Sequence, residues 1–130
     1  MLMAVALLTM TACKGVSREG TNGSHMQMNE RVHDFGEIPN GQVFADYDFA
    51  FTNDGDDPLV ITKVDAYCHC TAVNYPEEPI KPGKSGTISV RLNASDVTPG
   101  FFKRKIVIYL NNNQEPVVIS VQGQKKGEGE

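Results

Sequence analysis

Alternating apolar and polar residues, interrupted by turn residues, run through the chain from residue 31 onward. In the clearest run, the odd-numbered positions from Val43 to Phe51 are apolar or aromatic, while aspartates and Thr52 stand among the positions between them. Successive strand side chains point to opposite faces, so such a run predicts a strand with one buried and one solvated face. Residues 31–124 are therefore predicted to form one all-β sandwich of about seven strands, without helices.

One predicted strand changes parity partway along. Its apolar positions begin at Leu59 on one parity but continue over residues 64–72 on the other. A shift of one residue exchanges the two faces of a strand, so the pattern predicts a β-bulge near Thr62-Lys63. The strand then continues through Cys68 and Cys70, which face the core or its rim.

Cys68 and Cys70 are the candidate site, and three interpretations of them stay open. In the first, both are small buried hydrophobes, since free cysteine is among the most buried residue types. In the second, they form a disulfide. In the third, the two thiolates bind a soft metal such as Cu(I), with His69 or a methionine of the linker as a further ligand. Against this, His69 points the other way in a regular strand.

The disulfide interpretation has structural and chemical consequences. Cα atoms two residues apart on a strand are roughly 6.6 Å apart, at the upper limit for bridging, so the backbone would have to kink. So small a loop would contribute only about 1.6 kcal/mol, against ~3 kcal/mol for a fifteen-residue loop. Such a bond would be easily reduced, which favours a redox role over a stabilising one.

The start of the chain has the pattern of a targeting segment. Met1 to Met10 form a short apolar block that is too short to span a bilayer but suited to a signal sequence. Thr11-Ala12-Cys13 follows this block, and Met10-Thr11-Ala12-Cys13 resembles the lipobox of bacterial lipoproteins. The resemblance implies that residues 1–12 are removed and that Cys13 is acylated, anchoring the protein to a membrane. Residues 13–30 are predicted to be a flexible linker, and residues 125–130 a charged, frayed tail.

Charge and composition exclude several classes of function. The net charge of −4 and pI near 5.3 argue against a nucleic-acid partner. The one dense basic run, Lys103-Arg104-Lys105, is interpreted as a solvated strand edge. No nucleophile elbow, His-Glu-x-x-His motif or phosphate loop is present, so the chain is predicted not to be an enzyme.

Five motifs in chain order carry a family resemblance. They are His33-Asp34-Phe35-Gly36-Glu37-Ile38, Phe51-Thr52-Asn53-Asp54-Gly55, Pro58-Leu59-Val60-Ile61, Cys68-His69-Cys70-Thr71 and Pro82-Gly83-Lys84-Ser85-Gly86. The chain resembles bacterial domain-of-unknown-function family 1573 and, more distantly, Hydin-type domains. The resemblance implies an immunoglobulin-like fold in an envelope lipoprotein and implies no activity. The family usually has glycine where His69 stands, and histidine is among the residues that tolerate positive φ somewhat better.

Two functional hypotheses follow. The first is a non-enzymatic binding or structural module of the bacterial envelope, anchored to the membrane through Cys13, facing the periplasm or cell surface, with a protein or glycan partner. The second is a redox-active or Cu(I)-binding envelope protein that uses Cys68 and Cys70.

The lipobox generates the first prediction. Mass spectrometry of the membrane-associated protein should find a mature chain that begins at an acylated Cys13. A processed protein that retains its first twelve residues would contradict the lipid anchor.

Overall fold

The computed structural model describes residues 23–111 and 115–127. Residues 1–12 and Cys13 lie outside the described residues. The described part contains eight strands and a short 3₁₀ turn at Ala94–Asp96. The strands are β1 (Met26–Met28), β2 (Val32–Ile38), β3 (Phe44–Asn53), β4 (Ile61–Ala66), β5 (Thr71–Asn74), β6 (Ser85–Asn93), β7 (Gly100–Leu110) and β8 (Val117–Lys125). None of the described segments is a helix long and apolar enough to cross a membrane.

The strands form two four-stranded sheets, which confirms the predicted β-sandwich. Sheet A has the order β1-β3-β6-β5, and sheet B has the order β2-β8-β7-β4. All neighbours are antiparallel except β2 and β8, which are parallel. The alternation of β3 places Phe49 and Phe51 in the core, as predicted, whereas Val43 precedes the strand and is exposed.

The sandwich begins earlier than residue 31, so the predicted linker of residues 13–30 is too long. Met26–Met28 forms β1 and pairs with the end of β3, with Met26 opposite Asn53. Met26 is 1% exposed and belongs to the main core cluster. A strand of three residues is too short to show an alternating pattern. At the other end, β8 extends to Lys125, and Lys126 N–H donates to the Ile38 carbonyl, so the predicted tail begins within the fold.

The core consists of two clusters of buried side chains. The larger lies between the middles of the two sheets and includes Phe49, Phe51, Ile88, Ile106 and Ile119. The smaller lies beside the 3₁₀ turn, and its members are Ile38, Ala45, Cys70, Leu92, Ala94, Val97 and Phe102. Cys70 is therefore part of the core that joins the sheets.

A ring cluster joins β2 of sheet B to β3 of sheet A. The His33 ring on β2 stacks on the Tyr47 ring of β3, with centroids 3.5 Å apart. The Tyr47 hydroxyl donates to the Glu30 carboxylate, and this hydrogen bond raises the pKa of Tyr47. His33 Nδ1 lies 3.4 Å from the same carboxylate, so Glu30 holds both rings in place.

Asn53 anchors two loops and the N-terminal segment at one end of the sandwich. It is completely buried. Its Nδ2 donates to the carbonyls of Asp57 and Ile80, at 2.8 and 2.9 Å. Its Oδ1 accepts from the N–H groups of Gly55 and His25, at 3.0 and 3.3 Å. One side chain thus ties the β3–β4 turn to the N-terminal segment and to the β5–β6 loop.

Replacement of this amide should be costly. Asn53→Ala removes four hydrogen bonds at a buried position, and we expect it to lower the free energy of unfolding by roughly 2–3 kcal/mol. Urea denaturation measures the change. Asn74→Ala, at an exposed position of β5, serves as the control and should change stability by less than about 0.5 kcal/mol. Equal effects of the two substitutions would contradict the anchoring role of Asn53.

Candidate functional site

The paired cysteines lie where the chain passes from one sheet to the other. β4 ends at Ala66 in sheet B, and β5 begins at Thr71 in sheet A. The four residues between them, Tyr67 to Cys70, form a turn and make up the crossover. The predicted bulge is confirmed as a register shift between Ile61 and Lys63. The predicted continuous strand through the cysteines is wrong, because β4 and β5 pair with strands of different sheets.

The two sulfur atoms are joined in a disulfide, the second of the three interpretations. The Cα atoms are 5.1 Å apart, closer than on an extended strand, as the expected kink requires. Thr71 N–H donates to the Cys68 carbonyl at 3.2 Å, and Asn93 N–H donates to the Cys70 carbonyl at 2.6 Å. These bonds attach the crossover to the first residue of β5 and to the last residue of β6.

The two cysteines differ in their exposure. Cys70 is 2% exposed and packs in the smaller core cluster, whereas Cys68 is half-buried and packs at the margin of that cluster. His69 is exposed. Sulfurs that share a bond are not thiolates, so Cu(I) binding would require the reduced pair. The structure has the pair oxidised, and copper binding stays a prediction.

The crossover also leaves part of β7 without a paired strand on one of its two sides. β4 pairs with β7 only from Ile106 to Leu110. The preceding residues, Gly100 to Lys105, pair with β8 on one side. No other strand within the described range pairs with them on the side that β4 has left. Half of a long central strand is therefore an open edge.

A groove of about 760 Å³ lies at this point on the surface. Its lining consists of the crossover, the basic run and two valines of the outer sheet face: Tyr67, Cys68, Lys103, Arg104, Lys105, Val107 and Val118. Tyr67 is 70% exposed and Val118 is 39% exposed. Phe101, on the same strand as the basic run but outside this lining, is 69% exposed. The groove thus combines exposed apolar side chains with three cations.

Tyr67 is held over the outer face of sheet B by its neighbours. Its pKa is raised, first by Coulombic interaction with Tyr109 and then by a hydrogen bond to it. The Lys63 ammonium lies 5.6 Å from the centre of the Tyr109 ring and 3.3 Å from Asp65. Tyr67, the aromatic side chain of the groove, is therefore positioned by Tyr109, which in turn lies against Lys63.

The cations of the groove lack acidic partners. Within the described residues, Lys103, Arg104 and Lys105 form no salt bridge. The Arg104 guanidinium instead donates to the Lys103 carbonyl and lies 5.9 Å from the centre of the Phe102 ring. The interpretation of this run as a solvated edge agrees with its exposure, but the sequence did not indicate that Tyr67 and Cys68 lie beside it.

A family model described as "Protein of unknown function (DUF1573)" matches residues 26–125. No curated protein matches the sequence. Among solved structures, a protein of unknown function from Porphyromonas gingivalis W83 superposes with a TM-score of 0.69 at 16% identity, covering 85% of this chain and 51% of its own.

Two further structures share the fold. The VesB protease of Vibrio cholerae has a TM-score of 0.60 at 14% identity, with 82% of this chain and 32% of its own covered. The periplasmic chaperone SfaE has a TM-score of 0.52 at 13% identity, with 81% and 59% covered. The chain thus spans about a third to three fifths of the length of these proteins, and the likeness establishes an immunoglobulin-like fold.

The different burial of the two cysteines predicts different reactivity. After reduction of the native protein, we expect iodoacetamide to modify Cys68 at least tenfold faster than Cys70, because only Cys68 is accessible. Reduction itself should lower the free energy of unfolding by no more than about 1.6 kcal/mol. Peptide mass mapping locates the label. Rapid labelling of both cysteines before any reductant is added would contradict the disulfide.

Proposed function

The chain belongs to the DUF1573 family, and we propose that it is a non-enzymatic binding module of the bacterial envelope, tethered to a membrane through Cys13. Its binding surface is the groove beside the Cys68–Cys70 crossover. The observation that carries the proposal is the exposure of Tyr67 and Val118 in this groove, with Phe101 exposed further along β7. Tyrosine and phenylalanine are enriched at protein interfaces, where they supply a large contact area.

The composition of the groove favours binding over catalysis. Its lining contains cations, aliphatic and aromatic groups and a disulfide sulfur. No histidine or carboxylate stands among the described residues that line it. Histidine and the carboxylates serve most often as general acids and bases, and this lining supplies neither.

The proposed location rests on sequence and on the disulfide together. The lipobox-like residues imply an acylated Cys13, and two or more acyl chains give stable attachment to a bilayer. A linker of about twelve residues between Cys13 and Met26 would keep the start of the fold within roughly 20 Å of the membrane surface. Disulfides persist in oxidising compartments such as the periplasm and cell surface, which agrees with this location.

Thiol–disulfide exchange is a second candidate function, favoured by the position of Cys68. A partner thiolate that attacks Cys68 Sγ would form a mixed disulfide and release Cys70 as the thiolate. The second thiol of the partner would then resolve the mixed disulfide, leaving the partner oxidised and both cysteines reduced. Lys103, Arg104 and Lys105 line the same groove and would stabilise a thiolate at Cys68. Faster alkylation of Cys68 than of Cys70 after reduction would show that the sulfur which this exchange requires is accessible.

The binding module predicts a specific cross-link. A photo-reactive benzoylphenylalanine introduced at Tyr67 should form a defined adduct in intact cells, because this side chain is 70% exposed at the groove. Thr87, exposed in sheet A, is the control position and should not form that adduct. Val118→Asp should weaken the adduct at least fivefold by placing a charge on the apolar floor of the groove.

Identification of the adduct by mass spectrometry distinguishes a protein partner from a glycan. Absence of any adduct specific to Tyr67 across growth conditions would overturn the proposed binding surface. An adduct that forms equally from Tyr67 and Thr87 would have the same meaning, because it would reflect random collision.

A further inference from the structure

The open edge of β7 defines the kind of partner that the groove can accept. β4 pairs with Ile106 to Leu110 on one side of β7, and the crossover then takes the chain to the other sheet. The remaining six residues, Gly100 to Lys105, keep only β8 as a neighbour in the described part of the chain. A six-residue strand is about 20 Å long, enough to pair with an added strand.

The direction of the β7 backbone shows which of its N–H and C=O groups face the unpaired side of the strand. The Tyr109 carbonyl points toward β4, since Thr62 Oγ1 donates to it at 3.2 Å. Backbone groups alternate in direction along a strand, so Phe101, Lys103 and Lys105 direct their N–H and C=O groups to the same side. The Lys103 carbonyl accepts from the Arg104 side chain at 3.1 Å, an exposed contact that an incoming strand can replace.

The charges of the edge select the chemistry of that strand. Lys103 and Lys105 have the parity of Val107, which lines the groove, and both are exposed. Neither they nor Arg104 has an acidic partner among the described residues. Side chains directly opposite on paired strands are about 5 Å apart, so carboxylates on an added strand would meet these cations. The same edge of a second copy would place lysine near lysine, which disfavours self-pairing.

We propose that the β7 edge binds an extended, acidic segment of a partner protein by strand addition, with carboxylates at alternate positions opposite Lys103 and Lys105. This inference rests on the proposed binding function and names its partner by class. Main-chain hydrogen bonds to Phe101, Lys103 and Lys105 supply the general affinity, and the cations with Tyr67 supply the selection.

The test uses the ¹⁵N-labelled full chain in a non-ionic detergent and a six-residue peptide of alternating valine and glutamate. We expect the acidic peptide to slow hydrogen exchange of the Phe101, Lys103 and Lys105 amides at least tenfold. A peptide of alternating valine and lysine should leave these rates unchanged. An acidic peptide with a central proline should protect them less, because proline lacks a backbone donor.

Charge-reversed variants separate the edge from the overall charge of the protein. Lys103→Glu combined with Lys105→Glu should weaken binding of the acidic peptide at least tenfold. Lys81→Glu combined with Lys84→Glu makes the same change in net charge in the exposed β5–β6 loop and should weaken it less than threefold. Circular dichroism verifies that both variants keep the fold.

Several results would overturn the inference. Failure of the acidic peptide to bind would do so, as would binding that leaves the three amides unprotected. Binding of phosphatidylglycerol vesicles or an anionic polysaccharide in place of the peptide would show a different ligand class. If the Tyr67 cross-link to a partner persists while the peptide fails, the binding module stands and only strand addition is wrong. Failure of both removes the proposed function as well.

Discussion

The passage of the chain between the two sheets at Tyr67 to Cys70 is the constraint on which the candidate site depends. β4 must leave β7 halfway along for β5 to pair with β6 in the other sheet. The disulfide closes this crossover, and the Asn93 amide attaches it to sheet A. The groove, the open β7 edge and the separate environments of the two cysteines all result from that single change of sheet.

The crossover also links the core to the surface over a very short distance. Cys70 is buried against the side chains that join the sheets, while Cys68, two residues away, lines the groove. A ligand that contacts Cys68 therefore lies next to a group fixed in the core. This arrangement explains why one surface supports both candidate functions: the exposed aromatics and cations favour recognition, and the accessible sulfur favours exchange chemistry.

The opposite end of the sandwich shows a different way of fixing loops. Asn53 satisfies four backbone groups from three segments that are distant in sequence, and a buried polar side chain is tolerated only when its hydrogen bonds are made. The same contacts draw the N-terminal segment onto the sandwich and allow Met26 to complete the core. The sandwich accordingly starts inside the region that composition alone assigns to a linker.

Local periodicity determined the all-β class, the buried face of β3 and the bulge in β4, because each follows from which side chains face the same way on an extended chain. The motifs likewise indicated the family. The tertiary structure decided what depends on distant partners: that β1 is a strand, that the cysteine strand breaks into two, and that Lys103-Arg104-Lys105 lies beside Tyr67. Strand pairing and sheet membership depend on contacts across many residues, which a two-residue period does not encode. The sequence named the cysteine pair, and only the fold placed it at an open, basic edge.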